Sequence, residues 1–296
     1  MSEKRTAWVG YGAVALAAML WAVSGNAAKF LFRNGVTPFQ LVQLRTTIAA
    51  LLLFAWLVIW RRSLLRIERR DFAYFIVLGA ILAAVQFTYL YAISRIPVAS
   101  AILIQYLSPV LIALHARIFR KKHLSPVALL AIGGAIAGCY LMVGAYNLAL
   151  VSLNRIGILS GLASAVVFAW YAVKSEDGMR TYSPWTLLSY ALIVAAVVWN
   201  FLQPPLGSFR GEYSSPEWGL ILYIGVFGTI LPFGLYNAGI RLIEATHASI
   251  TATLEPVFAG MISFALLGES LESLQIVGAS LVIGSILLLQ VQKSRH

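Results

Sequence analysis

Charge is what this chain has least of. Only 11% of its 296 residues are charged, and 11 of them are Asp or Glu, too few to cover the surface of a soluble fold. The single cysteine, Cys139, rules out a disulfide within the chain, and its apolar run GGAIAGCYLM fits a small buried side chain. No GxxxxGKS/T loop is present to cradle ATP phosphates, which excludes direct ATP drive by this chain. No His or Cys pair has metal-ligand spacing, so neither a metal nor another cofactor is expected; His115 and His123 lie by a basic loop that suits solvent or lipid headgroups. Gly10, Gly12 and Ala15 match GxGxxA in form, but no strand precedes them and no dinucleotide site is read there. Clusters of His, Asp or Glu that a membrane enzyme needs are missing, as are the rings of charge that mark a channel. The chain is therefore not read as an enzyme.

What fills the space is apolar sequence: 60% of residues are hydrophobic and the mean hydropathy is +0.84. Runs of about 18 to 22 mainly apolar residues predict ten membrane spans, near 8–28, 40–60, 72–93, 99–119, 126–145, 155–174, 184–203, 218–240, 247–267 and 271–291. The fold class expected is an all-α membrane protein. No connection is long enough for a soluble domain, the longest being Pro204 to Glu217, so the lipid bilayer is the main partner. The net charge of +11 sits in short basic clusters between spans, which fits orientation and anionic headgroups rather than nucleic acid. With a cytoplasmic N-terminus, 16 basic residues fall inside and five outside, Arg45 remaining within the second span. That bias predicts both termini cytoplasmic. The first span is too long for a cleaved signal peptide and lacks a small-residue cleavage site.

Sliding the chain on itself reveals a repeat. A shift of 147 residues pairs Tyr89 with Tyr236, Ser108 with Glu255 and Pro109 with Pro256; a shift of 149 pairs Gly12 with Gly161 and Trp21 with Trp170. Pro38 meets Pro184 after a three-residue adjustment. Residues 1–150 and 151–296 thus each hold five spans. Five is odd, so the second half enters the membrane from the opposite side, giving ten helices as two inverted five-helix repeats, an arrangement used by secondary transporters.

One stretch organises the rest: Thr246 to Glu272, THASITATLEPVFAGMISFALLGESLE. It places Glu255 beside Pro256 roughly 12 Å below one surface, at ~1.5 Å rise per residue. An ionisable group next to a helix-interrupting proline persists at that depth only facing protein or a water-filled cavity. The Glu-Pro pair and the closing LLGE resemble the signature of the EamA-type group of the drug/metabolite transporter superfamily, and the overall look is similar to bacterial aromatic amino-acid exporters. The resemblance implies a ten-helix carrier with both termini cytoplasmic, a substrate cavity between the halves, and export of amino acids or related metabolites without ATP. In the first half LSP replaces LEP, leaving Glu255 as the one membrane-embedded carboxylate.

Within the spans, Glu255 is expected to bind a substrate amine, carry a proton, or pair with His247 or Thr251 on its own face. Gln105 and Ser108 share a face with the carbonyl freed by Pro109, and Gln86 shares one with Tyr89. Tyr223, Tyr236 and Asn237 supply polar tips along GVFGTILPFGLYNAG. Trp21 and Trp170, accompanied by Asn26, Ser164 and Tyr171, suit a cavity walled by aromatic faces. Pro109, Pro232 and Pro256 are candidate hinges, with a static kink as the alternative. Gly134 to Gly138 and Ser280 to Gly284 allow close packing, which makes the fifth and tenth spans scaffold. Two functions compete. One is gradient-driven, alternating-access export of amino acids, aromatic ones favoured; the other is a proton-coupled multidrug antiporter for flat organic cations. Short loops suit a bacterial inner membrane, and a monomer is compatible with everything above.

Overall fold

The computed structural model describes residues 3–121, 123, 125–147, 154–267 and 272–293, and among these no strand occurs. The helices are α1 Glu3–Arg33, α2 Pro38–Trp60, α3 Phe72–Arg95, α4 Val98–Gln105, α5 Ser108–Ile118, α6 Pro126–Met142, α7 Arg155–Gly178, α8 Pro184–Leu202, α9 Ser215–Gly225, α10 Leu231–Ala252, α11 Glu255–Leu267 and α12 Ser273–Lys293. Seven stretches among the described residues are long and apolar enough to cross a membrane, and Pro126–Leu141 and Ser273–Leu289 are shorter apolar helices. Large apolar side chains such as Leu51, Leu130, Val197 and Phe201 stand exposed on the outside, where lipid rather than water is the compatible solvent. This is a multi-pass membrane protein. Gly268 and Glu269 of the LLGE run, with Lys122 and Arg295 of the basic loops, lie outside the described residues.

The helix starts are written locally. Thr37, Ser125 and Ser183 each accept a hydrogen bond from the backbone N–H three residues on, and each is followed by a proline at the first helical position, where a missing N–H costs nothing. Ser183-Pro184 thus starts α8 the way Thr37-Pro38 starts α2.

Two spans expected as single runs are broken. After α4 the chain tightens into a turn, with Leu107 N bonding Ile104 O, and α5 restarts with Leu111 N on Leu107 O. Before α11 the same pattern recurs: Leu254 N bonds Thr251 O and Phe258 N then bonds Leu254 O. In each case a proline, Pro109 or Pro256, is the second residue of the new helix and lacks the N–H needed to continue the old one. The connection expected between the eighth and ninth spans, 241–246, is a kink rather than a loop. Ser215–Ala252 runs 38 residues, roughly 57 Å at ~1.5 Å per residue, and it is divided at Glu244, whose φ of 67° and ψ of 161° are non-helical. A π-helical turn, Val226–Ile230, precedes Pro232.

Helices from the first 150 residues bury their faces against later ones: α1 on α10, α6 on α12, α3 on α7 and α8, α2 on α8. The expectation that the fifth and tenth spans pack closely is met on α6, where a Cβ on Gly138 would stand 2.7 Å from Gly278 O and one on Gly134 2.5 Å from Ser285 Oγ. On α12 the small residues in contact are Gly278 and Ser285; Gly284 has nothing within 4 Å and Ser280 is exposed. Gly138→Leu should therefore force α6 off α12 and lower stability by about 1–3 kcal/mol, read as a fall in melting temperature of the purified protein. Gly284→Leu should leave it unchanged.

Candidate functional site

A cavity opens in the middle of the bundle, and the two broken helices end beside it. From the early helices it is lined by Trp21, Ser24, Gly25 and Ala28 of α1, Arg45 of α2, and Val85, Gln86, Tyr89 and Leu90 of α3. Gln105, Tyr106 and Ser108 line it at the α4/α5 break, Ala252 and Glu255 at the other break, and Phe168 of α7 and Phe233 of α10 complete it. Its room for the centres of water-sized solutes is about 50 Å³, a few waters at ~10–15 Å³ each.

Glu255 is the first residue of α11, where the unsatisfied N–H groups of the first turn favour a carboxylate. Its Oε2 lies 2.9 Å from the Tyr106 hydroxyl, which is also 2.8 Å from the carbonyl of Ala252. That carbonyl is the one Pro256 deprives of its helical partner, so a side chain from the other break supplies the missing donor. The hydroxyl has one hydrogen. It can donate to an ionised Glu255, or donate to Ala252 and accept from a protonated Glu255. The pairing of Glu255 with His247 or Thr251 expected from the sequence does not form: Thr251 Oγ1 donates to His247 O at 2.8 Å, and His247 Nδ1 meets Tyr11 OH at 2.6 Å.

Arg45, noticed in the sequence only as a charge within a span, is buried at 5% exposure and reaches the cavity. Its Nε donates to Thr229 Oγ1 at 3.0 Å and its Nη2 to Gly228 O at 2.9 Å. In an α-helix Gly228 O would bond the N–H of residue 232, which is Pro232; the guanidinium replaces it. Gln86, 2% exposed, has neither end of its amide hydrogen-bonded, and the Tyr89 hydroxyl is likewise buried without a partner. Such groups cost about 1–3 kcal/mol each when left unpaired, and these two line the cavity.

Part of the lining is aromatic. Trp21 lies 5.2 Å from Phe233, 5.5 Å from Tyr236 and 6.1 Å from Phe168, centroid to centroid. One turn along α10 from Phe233, Tyr236 and Asn237 are fully buried, and Asn237 Nδ2 donates to Tyr171 OH at 2.9 Å. These three sequence-predicted residues form the layer behind the aromatic wall rather than the wall itself. Ser164 is buried on α7, also off the cavity. Trp170 is 51% exposed and does not stand beside its repeat partner Trp21; Asn26 is exposed and donates back to Ala22 O; Tyr223 stacks on Phe227. Of the expected site residues, Trp21, Gln86, Tyr89, Gln105, Ser108 and Glu255 meet at the cavity. Arg45, Tyr106, Phe168 and Phe233 join them unannounced. The signal for Arg45 was present, since a charge at mid-span is costly and seldom idle. Among the described residues no group of three His, Cys, Asp or Glu is placed to hold a metal.

At the end of the bundle where α1 begins, charged contacts tie helices together. Arg120, after α5, pairs with Glu176 at 2.8 Å and Asp177 at 2.7 Å at the end of α7, and Glu176 Oε2 accepts from Ala245 N at 3.4 Å. Arg120→Ala should loosen this tie by about 1.4 kcal/mol, a tenfold change in the open fraction. In a Cys139→Ala background, a cysteine placed at Asn237 should then react faster with a thiol reagent added at that end.

The EamA-like transporter family model matches residues 8–144 and, a second time, residues 155–291. The chain is 28% identical over 292 residues to an uncharacterized inner membrane transporter, YicL, of Salmonella typhimurium, covering 96% of this chain and 95% of that one. It is 31% identical over 202 residues to an uncharacterized transporter of Archaeoglobus fulgidus, 68% of this chain and 70% of the other. A solved crystal structure superposes with a TM-score of 0.77 over 98% of both chains at 20% identity, a likeness of fold.

Proposed function

The chain belongs to the EamA-like transporter family, and we propose that it exports amino acids, aromatic ones favoured, through the central cavity by alternating access. The drive is the substrate gradient, without ATP. In this reading it sits in a bacterial inner membrane with both termini cytoplasmic, as two inverted five-span repeats of residues 1–150 and 151–296. The doubled family match supports the repeat, as do the helix breaks just before Ser108-Pro109 and Glu255-Pro256, pairs one shift of 147 residues apart. The conformation described is then closed toward the cytoplasm by the aromatic layer and the Arg120 latch. Loading and release then go with movement of the broken helices about Pro109, Pro232 and Pro256.

The observation that carries the reading is the cavity's mixed chemistry: Trp21, Phe168 and Phe233 line it together with the unpartnered Gln86 and Tyr89. An aromatic amino acid has an apolar ring and a polar end to match them. The test feeds phenylalanine-containing dipeptide to cells with and without the protein and measures external phenylalanine. Faster efflux with the protein is expected; equal efflux of every amino acid assayed rejects export.

A second reading, proton-coupled antiport of flat organic cations, is supported by the Tyr106 hydroxyl, which accommodates Glu255 in either protonation state. Arg45 argues against it, because a cation in this cavity meets a buried like charge.

A further inference from the structure

Two opposite charges line the cavity without touching. The ion pairs among the described residues are Arg70–Glu68, Arg120–Glu176 and Arg120–Asp177, all away from this site. Arg45 and Glu255, 5% and 6% exposed, therefore remain farther apart than an ion pair although both border the same cavity. Each has a neutral anchor that fixes its place: Thr229 and Gly228 O hold the guanidinium, and Tyr106 holds one carboxylate oxygen. Of the five N–H donors of Arg45 two are engaged, and among the described residues no partner bonds Glu255 Oε1. Buried charges held apart in this way are expensive unless something bridges them. Between them the cavity also presents the Gln86 amide, unpartnered at both ends, and the Tyr89 hydroxyl.

We propose that Arg45 and Glu255 form a two-point clamp for a zwitterion, Arg45 receiving the α-carboxylate and Glu255 the α-ammonium. This deepens, and rests on, the reading of the cavity as an amino-acid site. A guanidinium fork matches a carboxylate in a paired geometry, and a carboxylate at a helix start accepts from an ammonium. Charge then sets specificity. A free amine of the same shape meets Glu255 but is repelled by Arg45; the corresponding acid meets Arg45 but is repelled by Glu255. A free amino acid satisfies both, while Gln86 and Tyr89 take up its remaining donors and acceptors. The aromatic residues read the side chain and the clamp reads the backbone.

Three probes share the phenyl-ethyl frame: phenylalanine, phenethylamine and 3-phenylpropanoate. Their binding to purified protein in nanodiscs is measured by calorimetry for wild type, Arg45→Gln and Glu255→Gln, with threonine and leucine as further zwitterions. Wild type should prefer phenylalanine by about thirtyfold or more over either mono-charged probe, the loss expected for one buried charge contact. Arg45→Gln should lose the preference over phenethylamine only, and Glu255→Gln the preference over 3-phenylpropanoate only. Should Arg45→Gln not fold, the wild-type ranking decides alone, joined by Arg45→Lys, which keeps the charge and should keep the ranking. The clamp is overturned if wild type ranks phenethylamine or 3-phenylpropanoate with phenylalanine, if no zwitterion binds, or if Arg45→Gln folds with its ranking intact. A correct clamp in a protein that cells do not use for export would instead show the full ranking in nanodiscs with no efflux from cells. Binding of threonine and leucine but not phenylalanine would keep the clamp and remove the aromatic preference.

Discussion

Glu255→Gln is expected to bring phenylalanine flux to background while leaving the protein folded. Glutamine keeps the shape of the side chain, and its amide N–H can donate to the Tyr106 oxygen while that hydroxyl donates to Ala252 O, so the α11 start and the capped Ala252 carbonyl survive. What disappears is the charge that meets the substrate amine. Removing one partner of a buried charged contact costs about 2–5 kcal/mol, a loss of thirtyfold or more in affinity. Stability should stay level or rise, because a carboxylate at 6% exposure is no longer held out of solvent. Counterflow of labelled phenylalanine with a parallel melting curve separates the cases. Flux retained with a lowered melting temperature would make Glu255 a structural residue.

The largest expected effect on folding is at Gly239. A Cβ there would stand 2.2 Å from Val14 Cγ2 and 3.1 Å from Gly10 O, and Val14 has no exposure through which to move aside. Gly10 and Gly239 meet where α1 crosses α10, and the backbones approach because neither has a side chain. Gly239→Val should separate the two helices, costing at least about 3 kcal/mol, and be recovered mainly as aggregate in size-exclusion chromatography. Gly12→Val is the control: nothing lies within 4 Å of its Cβ, and that variant should elute as wild type does.

The all-helical membrane class and the placing of Glu255 at a cavity were legible in the sequence because each depends on local chemistry. Apolar runs set the helices, and a carboxylate beside proline is conspicuous in a bilayer. Gln86, Tyr89, Gln105 and Ser108 followed from the faces they share. Trp170 did not, because the repeat relates sequence positions and not surroundings: Trp21 turns inward on α1 while Trp170 stands half exposed on α7. Tyr106 was hidden for a different reason. Proline announces that Ala252 needs a donor, but the donor comes from 146 residues away and is set by tertiary packing. The break at Glu244 falls in the connection expected between the spans at 218–240 and 247–267; what the sequence did not show is that helix continues on both sides of it, from Leu231 to Ala252.

The central claim is that this cavity carries amino acids down their own gradient. The most direct measurement is uptake of labelled phenylalanine, tryptophan and threonine into proteoliposomes that hold only buffer, with and without a pH gradient, for wild type and Glu255→Gln. The account predicts wild-type uptake that follows the amino-acid gradient, is indifferent to pH and is lost in Glu255→Gln. Absence of amino-acid flux, together with proton-dependent movement of an organic cation that Glu255→Gln abolishes, would contradict it.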